Sequence, residues 1–164
     1  MDERFAQQAQ DTYRINQIRM ASKEQLLIIT YDIGIRSCSA AERAIDVNDV
    51  EQINFNLQRA QAVVRELMVT LNLEQGGEVA DSLMRLYDYM YYQLVDANVK
   101  KDAAPVRMVR QMLEELKATW IEAIAKLKVE SRGKEPAPVA PTAGGTNLDR
   151  KSTRLNSSHQ PLSR

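Results

Sequence analysis

Residues 50–71 read VEQINFNLQRAQAVVRELMVTL, and their spacing sets the fold class. Val50, Ile53, Leu57, Ala60, Val64, Leu67 and Leu71 recur every three or four positions, which lines them on one side of a helix with 3.6 residues per turn. Asp46-Val47-Asn48-Asp49 precedes the run with turn and N-cap chemistry, and Gln52 stands three residues after Asp49, at the capping-box position. Upstream, Ser22 and Gln25 form a second S-x-x-Q box, so a helix is expected over 23–45 with Leu27, Tyr31, Gly34, Cys38, Ala41 and Ile45 along one stripe. Downstream, Gly76-Gly77 is expected to stop the 50–71 helix and release another over 78–99, whose main face is Val79, Leu83, Leu86, Met90, Leu94 and Ala97. Pro105 suits a first helical turn, where its missing N–H has no partner to lose. A last helix is therefore expected over 105–128, with Val109, Met112, Leu116, Trp120, Ile124 and Leu127 inward.

Strand signals are lacking. Four amphipathic helices joined by short turns pack most simply as an antiparallel up-down four-helix bundle. The expected organisation is an N-terminal segment over 1–21, a bundle over 22–130 and a disordered tail over 131–164. The tail opens with GKEPAPVAPTAGG, which is rich in Pro, Ala and Gly and has nothing to bury. TNLDRKSTRLNSSHQPLSR, which follows, has no apolar periodicity, fits a cloning scar as readily as native sequence, and carries no weight in the fold argument.

Composition narrows the function classes. The chain has 164 residues, 44% of them apolar, enough for one buried core. Its 22 basic and 22 acidic residues cancel, so there is no field of the kind that condenses onto nucleic acid or anionic lipid. The balance is uneven: residues through Glu130 carry net −4 and the remainder net +4. A lone Cys38 allows no internal disulfide, and MDERFAQQAQD lacks the basic start and apolar run of a signal peptide, so a cytoplasmic protein is expected. The longest aliphatic run, Leu26 to Ile29, falls far short of the ~20 residues that span a bilayer, so no membrane insertion is expected.

Catalytic and metal chemistry find little to work with. A di-metal centre in a helical bundle needs Glu-x-x-His pairs on facing helices, and the single histidine, His159, lies in the tail. Cys38 reads as a small core thiol. Gly76-Gly77 precedes a helix, but no Gly-Lys-Ser/Thr follows as a phosphate loop requires. Asn156-Ser157-Ser158 matches a glycosylation sequon that a chain without an export signal does not expose to that machinery. No catalytic residue, metal ligand or cofactor is expected, and the chain reads as no enzyme.

What the composition supplies in excess is apolar surface. The 78–99 helix carries a second stripe, Ala80, Met84, Tyr87, Tyr91 and Val95, and the first helix carries Leu26, Ile29, Ile33, Ala40 and Ala44. Each helix of a bundle contacts two neighbours, which would use some of this area. The alternative is a groove for a partner helix, for which seven Met and six Tyr are suited. A third possibility is that the stripes mediate homo-oligomerisation with no client.

INFNLQRAQAVVRELMVTLNLEQGGEVADSLMRLYDYMYYQLVDANVKKD, Ile53 to Asp102, resembles the flagellin-specific export chaperones (FliS), in which a kAQ…eL…tLd…GGeia.nL..LYdYm…L..AN pattern spans two helices. ASKEQLLIITYD, Ala21 to Asp32, is similar to the family's start, LKATWIEA, Leu116 to Ala123, to its end, and Tyr13 to the aromatic of its N-terminal segment. The likeness covers about residues 13–125. Where the family usually reads Tyr-Asp-Gly-Ala-Ile, this chain reads Tyr31-Asp32-Ile33-Gly34-Ile35, with the small residue one place later.

The resemblance implies a cytoplasmic four-helix-bundle chaperone, monomeric or weakly dimeric, that holds the disordered C-terminal region of flagellin soluble before type III flagellar secretion. Export-apparatus and regulatory proteins stand as further partners. By the same resemblance, Tyr13, Ile15 and Ile18 would sit in an N-terminal cap that competes with flagellin. Leu26, Ile29, Ile33, Met84, Tyr87 and Tyr91 would line the groove. Asp at Ile33 or Tyr87 is then expected to weaken flagellin binding and leave helicity intact.

Overall fold

The computed structural model of the protein describes residues 2–134, apart from the side chains of residues 17–20. Among these residues the regular elements are all α-helices: α1 (Asp2–Met20), α2 (Lys23–Asp46), α3 (Val50–Thr70), α4 (Leu73–Lys100) and α5 (Ala103–Lys134). The chain is all-α. It divides into a unit over Met1–Lys128 and a second over Val129–Arg164, of which Val129–Lys134 are described and helical. His159, the Asn156 sequon and the rest of the expected tail from residue 135 lie outside the described residues.

The caps explain where helices begin. Ser22 Oγ accepts from the Gln25 N–H at 3.2 Å while Gln25 Oε1 accepts from the Ser22 N–H at 3.0 Å, a complete capping box. Asp49 caps α3 by accepting from the Gln52 N–H at 3.2 Å; the Gln52 side chain turns instead toward Asn56. Asp102 accepts from the Ala104 N–H, so α5 starts at Ala103, and Pro105 falls within its first turn.

The α3–α4 junction differs from the sequence expectation. The break lies at Leu71-Asn72: Asn72 accepts from the Gln75 N–H at 3.1 Å and starts a turn of helix five residues before the expected point, residue 78. Gly77 then interrupts α4 with φ 55° and ψ −134°, a conformation open to glycine and strained for any other residue. A Cβ on Gly76 would stand 2.4 Å from that of Ala80, so both glycines are required by the kink. Two further boundaries move. Residues 2–20, expected only as a capping segment, form a helix, because DERFAQQAQDTYRINQIRM has neither Gly nor Pro and places Asp2 and Glu3 against the positive end of the helix dipole. α5 continues past Ser131 to Lys134, since its sequence holds no proline after its first turn.

Four helices, α2 to α5, build one core. Tyr31, Cys38 and Ala41 come from α2, Leu57, Ala60 and Val64 from α3, Tyr87, Met90 and Leu94 from α4, and Val106, Val109 and Leu113 from α5, each fully or almost fully buried. Gly34 is where α2 approaches its neighbours most closely: a Cβ there would lie 2.9 Å from Val63 Cγ1 and 3.2 Å from Leu113 Cδ1. The glycine displaced by one place from the family pattern therefore faces both α3 and α5.

Three face assignments change. Val50, in the first turn of α3, is exposed, and so is Leu127 near the end of the expected α5 face. On α4 the buried set is Ala80, Tyr87, Met90, Leu94 and Ala97, while Val79 is exposed and Leu83 and Leu86 are half-buried. The inward face of α4 thus takes Ala80 and Tyr87 from the stripe read as surplus. The cause is polar, since the Tyr87 hydroxyl finds its partner inside.

Candidate functional site

Tyr87 Oη lies 2.5 Å from Tyr31 Oη, and the Trp120 indole N–H donates to Tyr31 Oη at 3.0 Å. The three side chains join α4, α2 and α5, and each satisfies a polar atom that burial would otherwise leave at a cost of about 1–3 kcal/mol. Burial, reinforced by the hydrogen bond to Tyr87, raises the Tyr31 phenol well above the ordinary tyrosine range, and burial raises Tyr87 as well. Both stay neutral. Nearby, burial and then the Glu42 charge push the Cys38 thiol up to about 12, so it remains an unreactive thiol at neutral pH.

One turn outward from this network the surface opens. Ile28 and Ile29, with Ala21, Glu24 and Gln25, form one wall on the N-terminal half of α2. Ile121, Ile124, Ala125 and Lys128, on the C-terminal half of α5, form the other. The groove between them has a volume of about 460 Å³ and a mostly apolar lining, with Glu24, Gln25 and Lys128 its polar members. The Ser22 capping box fixes the start of the α2 wall. The Trp120–Tyr31 hydrogen bond and the Asp32–Lys117 ion pair, at 2.5 Å, tie the two helices together below it. Such a trough, rigid behind and open in front, can take the apolar side of a partner helix. Among the described residues there is no group of three His, Cys, Asp or Glu placed to hold a metal ion.

The residues expected to share a groove are dispersed. Ile29 lines it, and Leu26 is exposed one turn nearer the start of α2. Ile33 is half-buried and lines a different cleft, toward α3. Tyr87 is 1% exposed and belongs to the core. Met84 is half-buried. Tyr91 packs against the core edge with the Arg65 guanidinium 5.8 Å over its ring and Tyr92 edge-on at 6.0 Å. On α1, Tyr13 and Ile15 are exposed, as is Phe5, and the side chain of Ile18 lies outside the described ones. Ile28, Ile121 and Ala125 complete the groove without having been singled out. Their signal was present: Ile121, Ala125 and Lys128 follow one another at spacings of four and three beside the Trp120–Ile124 face.

Among the described residues no helix is long and apolar enough to cross a membrane. Residues 5–127 match the family model described as flagellar protein FliS. The chain is 31% identical over 121 residues to the flagellar secretion chaperone FliS of Bacillus subtilis, covering 74% of this chain and 90% of that protein. It is 32% identical over 114 residues to the flagellar secretion chaperone FliS of Campylobacter jejuni, covering 70% and 89%. To its counterpart in Salmonella typhimurium it is 30% identical over 104 residues, covering 63% and 77%.

Proposed function

The chain belongs to the flagellar protein FliS family, and we propose that it is a cytoplasmic export chaperone that binds the disordered C-terminal region of flagellin in an apolar groove, preventing premature polymerisation before type III flagellar secretion. The observation that carries this reading is the open trough between Ile28 and Ile29 of α2 and Ile121 and Ile124 of α5. An apolar segment that would otherwise self-associate loses that tendency when its sticky side chains are covered, and it needs no covalent step to do so. Ordering such a segment costs roughly 2–5 kcal/mol, which burial along the trough must exceed. A host whose walls are already held by the Tyr31–Trp120 and Asp32–Lys117 contacts adds little ordering cost of its own.

In this reading α2–α5 form an antiparallel up-down bundle, for which the short connections and the shared core are the support. Residues 1–21 act as the cap. Tyr13 and Ile15, exposed on α1, and Ile18 would compete with flagellin for the trough, so the cap is released or refolded when the client binds. The chaperone works as a monomer or weak homodimer, and export-apparatus or regulatory proteins are its further partners.

The test is isothermal titration of the full chain with a peptide from the C-terminal end of its own organism's flagellin, with circular dichroism of the mixture. Saturable one-to-one binding with gained helicity is expected. Ile28→Asp and Ile121→Asp should each lower affinity by about tenfold or more, equivalent to about 1.4 kcal/mol, without loss of helicity in the free protein. Absence of heat and of added helicity at high concentration would sink the client reading and leave self-association as the use of the apolar surface.

A further inference from the structure

Away from the α2–α5 trough, a second cleft of about 520 Å³ lies where α1, α2 and α3 meet. Four arginines line it: Arg14 of α1, Arg36 and Arg43 of α2, and Arg59 of α3, with Ser39 and Asn56 between them. Among the described residues none of the four guanidinium groups forms an ion pair or a hydrogen bond. They share this with other exposed cations such as Lys23 and Arg85, but among the described residues only here do four arginines line one cleft. Arg107 and Arg110 close on Glu42, Lys117 on Asp32, and Lys100 on Asp96. Residues through Glu130 are net −4, and among the described residues these four exposed guanidinium groups line one cleft without a carboxylate partner. Like charges held together without a counter-charge repel, and an anion brought in from outside would relieve that repulsion.

We propose that this cleft is a docking site for a short acidic segment of a partner protein, recognised through its Asp and Glu carboxylates. The guanidinium fork matches a carboxylate with two parallel hydrogen bonds, and Arg is the side chain suited to that pairing. Arg36 and Arg43 are seven residues apart on α2, so their anchors are about 10 Å apart along the helix, which corresponds to two carboxylates two turns apart on a helical occupant. The acidic balance of the surrounding residues argues against an extended polyanion. A long nucleic acid would meet net repulsion beyond the cleft, whereas a short peptide places its charge only where the arginines are. The site shares no residue with the trough and stands independently of the client reading.

The probe is a fluorescein-labelled helical peptide with two glutamates seven positions apart and otherwise neutral, followed by fluorescence anisotropy against the full chain at low salt. Binding is expected, weakening by about tenfold or more when the glutamates become glutamines and by a similar factor in Arg36→Glu/Arg59→Glu. Arg85→Glu, on exposed α4 surface, should bind as the parent does. The neutral pair Arg36→Gln/Arg59→Gln, with helicity checked, keeps the result readable if charge reversal disturbs folding. In all these variants titration with the flagellin peptide should be unchanged, which separates this site from the trough. Three results would each overturn the proposal: no binding of the probe, undiminished binding by both arginine-pair variants, which would move it to the basic carboxy-terminal residues, or tighter binding of a short DNA duplex than of the peptide.

Discussion

The two ends of α5 carry the same apolar periodicity and meet different fates. At its start Val106, Val109 and Leu113 are completely buried, and Arg107 and Arg110 seal the flank by pairing with Glu42. Further along, Leu116, Trp120 and Ile124 are only half-buried, Ile121 is 47% exposed and Leu127 is 63% exposed. One end is closed by packing, and the other leaves apolar surface uncovered, which in the proposed reading is where the client binds. The bridge between them is the Tyr31–Tyr87–Trp120 network, which fixes α2 and α5 relative to each other just where packing begins to loosen.

The largest effect is expected from a charge placed on the closed side. Tyr87 is 1% exposed, so Tyr87→Asp would bury an unpaired carboxylate and remove the partner of Tyr31. A cost above about 4 kcal/mol is expected, with loss of helicity by circular dichroism and loss of a cooperative urea transition. Tyr87→Phe keeps the ring, leaves Tyr31 bonded to Trp120, and should cost only about 1 kcal/mol. If Tyr87→Asp instead stayed helical and lost only flagellin binding, Tyr87 would belong to the groove after all and the closed end would have to be redrawn.

Gly34 probes the same side by volume. A methyl group on its Cα would already stand 2.9 Å from Val63 and 3.2 Å from Leu113, so Gly34→Val must push two branched core side chains apart. Overpacking of that kind costs about 1–3 kcal/mol, against less than about 1 kcal/mol gained from replacing glycine in a helix, so a net loss of about 2 kcal/mol in urea unfolding is expected. An unchanged midpoint would mean that α2 can move away from α3 and α5 freely, and that the closed end is less rigid than its burial implies.

Periodicity made the helices legible, because a core face repeating every three or four residues needs no knowledge of its partner. It could not tell which of two adjacent apolar stripes on α4 turns inward, since Leu83 and Leu86 are as apolar as Met84 and Tyr87. That choice was made by a hydroxyl partner on α2 and an indole on α5, both remote in sequence. The groove was hidden for the same reason. Ile28 and Ile121 each read as one more aliphatic residue, and only the packing of α2 beside α5 brings them to facing walls. The helix over residues 2–20 follows from their own composition, which holds neither Gly nor Pro, whereas the family likeness speaks only to a capping role.

The smallest effect on folding is expected at the open end, where it is also the most informative. Ile121 is 47% exposed, so little of its apolar area leaves water when the chain folds, and Ile121→Ser should cost about 0.5 kcal/mol or less in urea unfolding. The same substitution removes a wall of the trough and should weaken the flagellin peptide severalfold. Stability and binding would then separate at Ile121 and travel together at Tyr87, as expected if the core ends and the binding surface begins between them. A loss of stability at Ile121 as large as that at Gly34 would mean that the trough is occupied in the free protein, with residues of α1 as the occupant, and the cap would then be part of the fold rather than a competitor released from it.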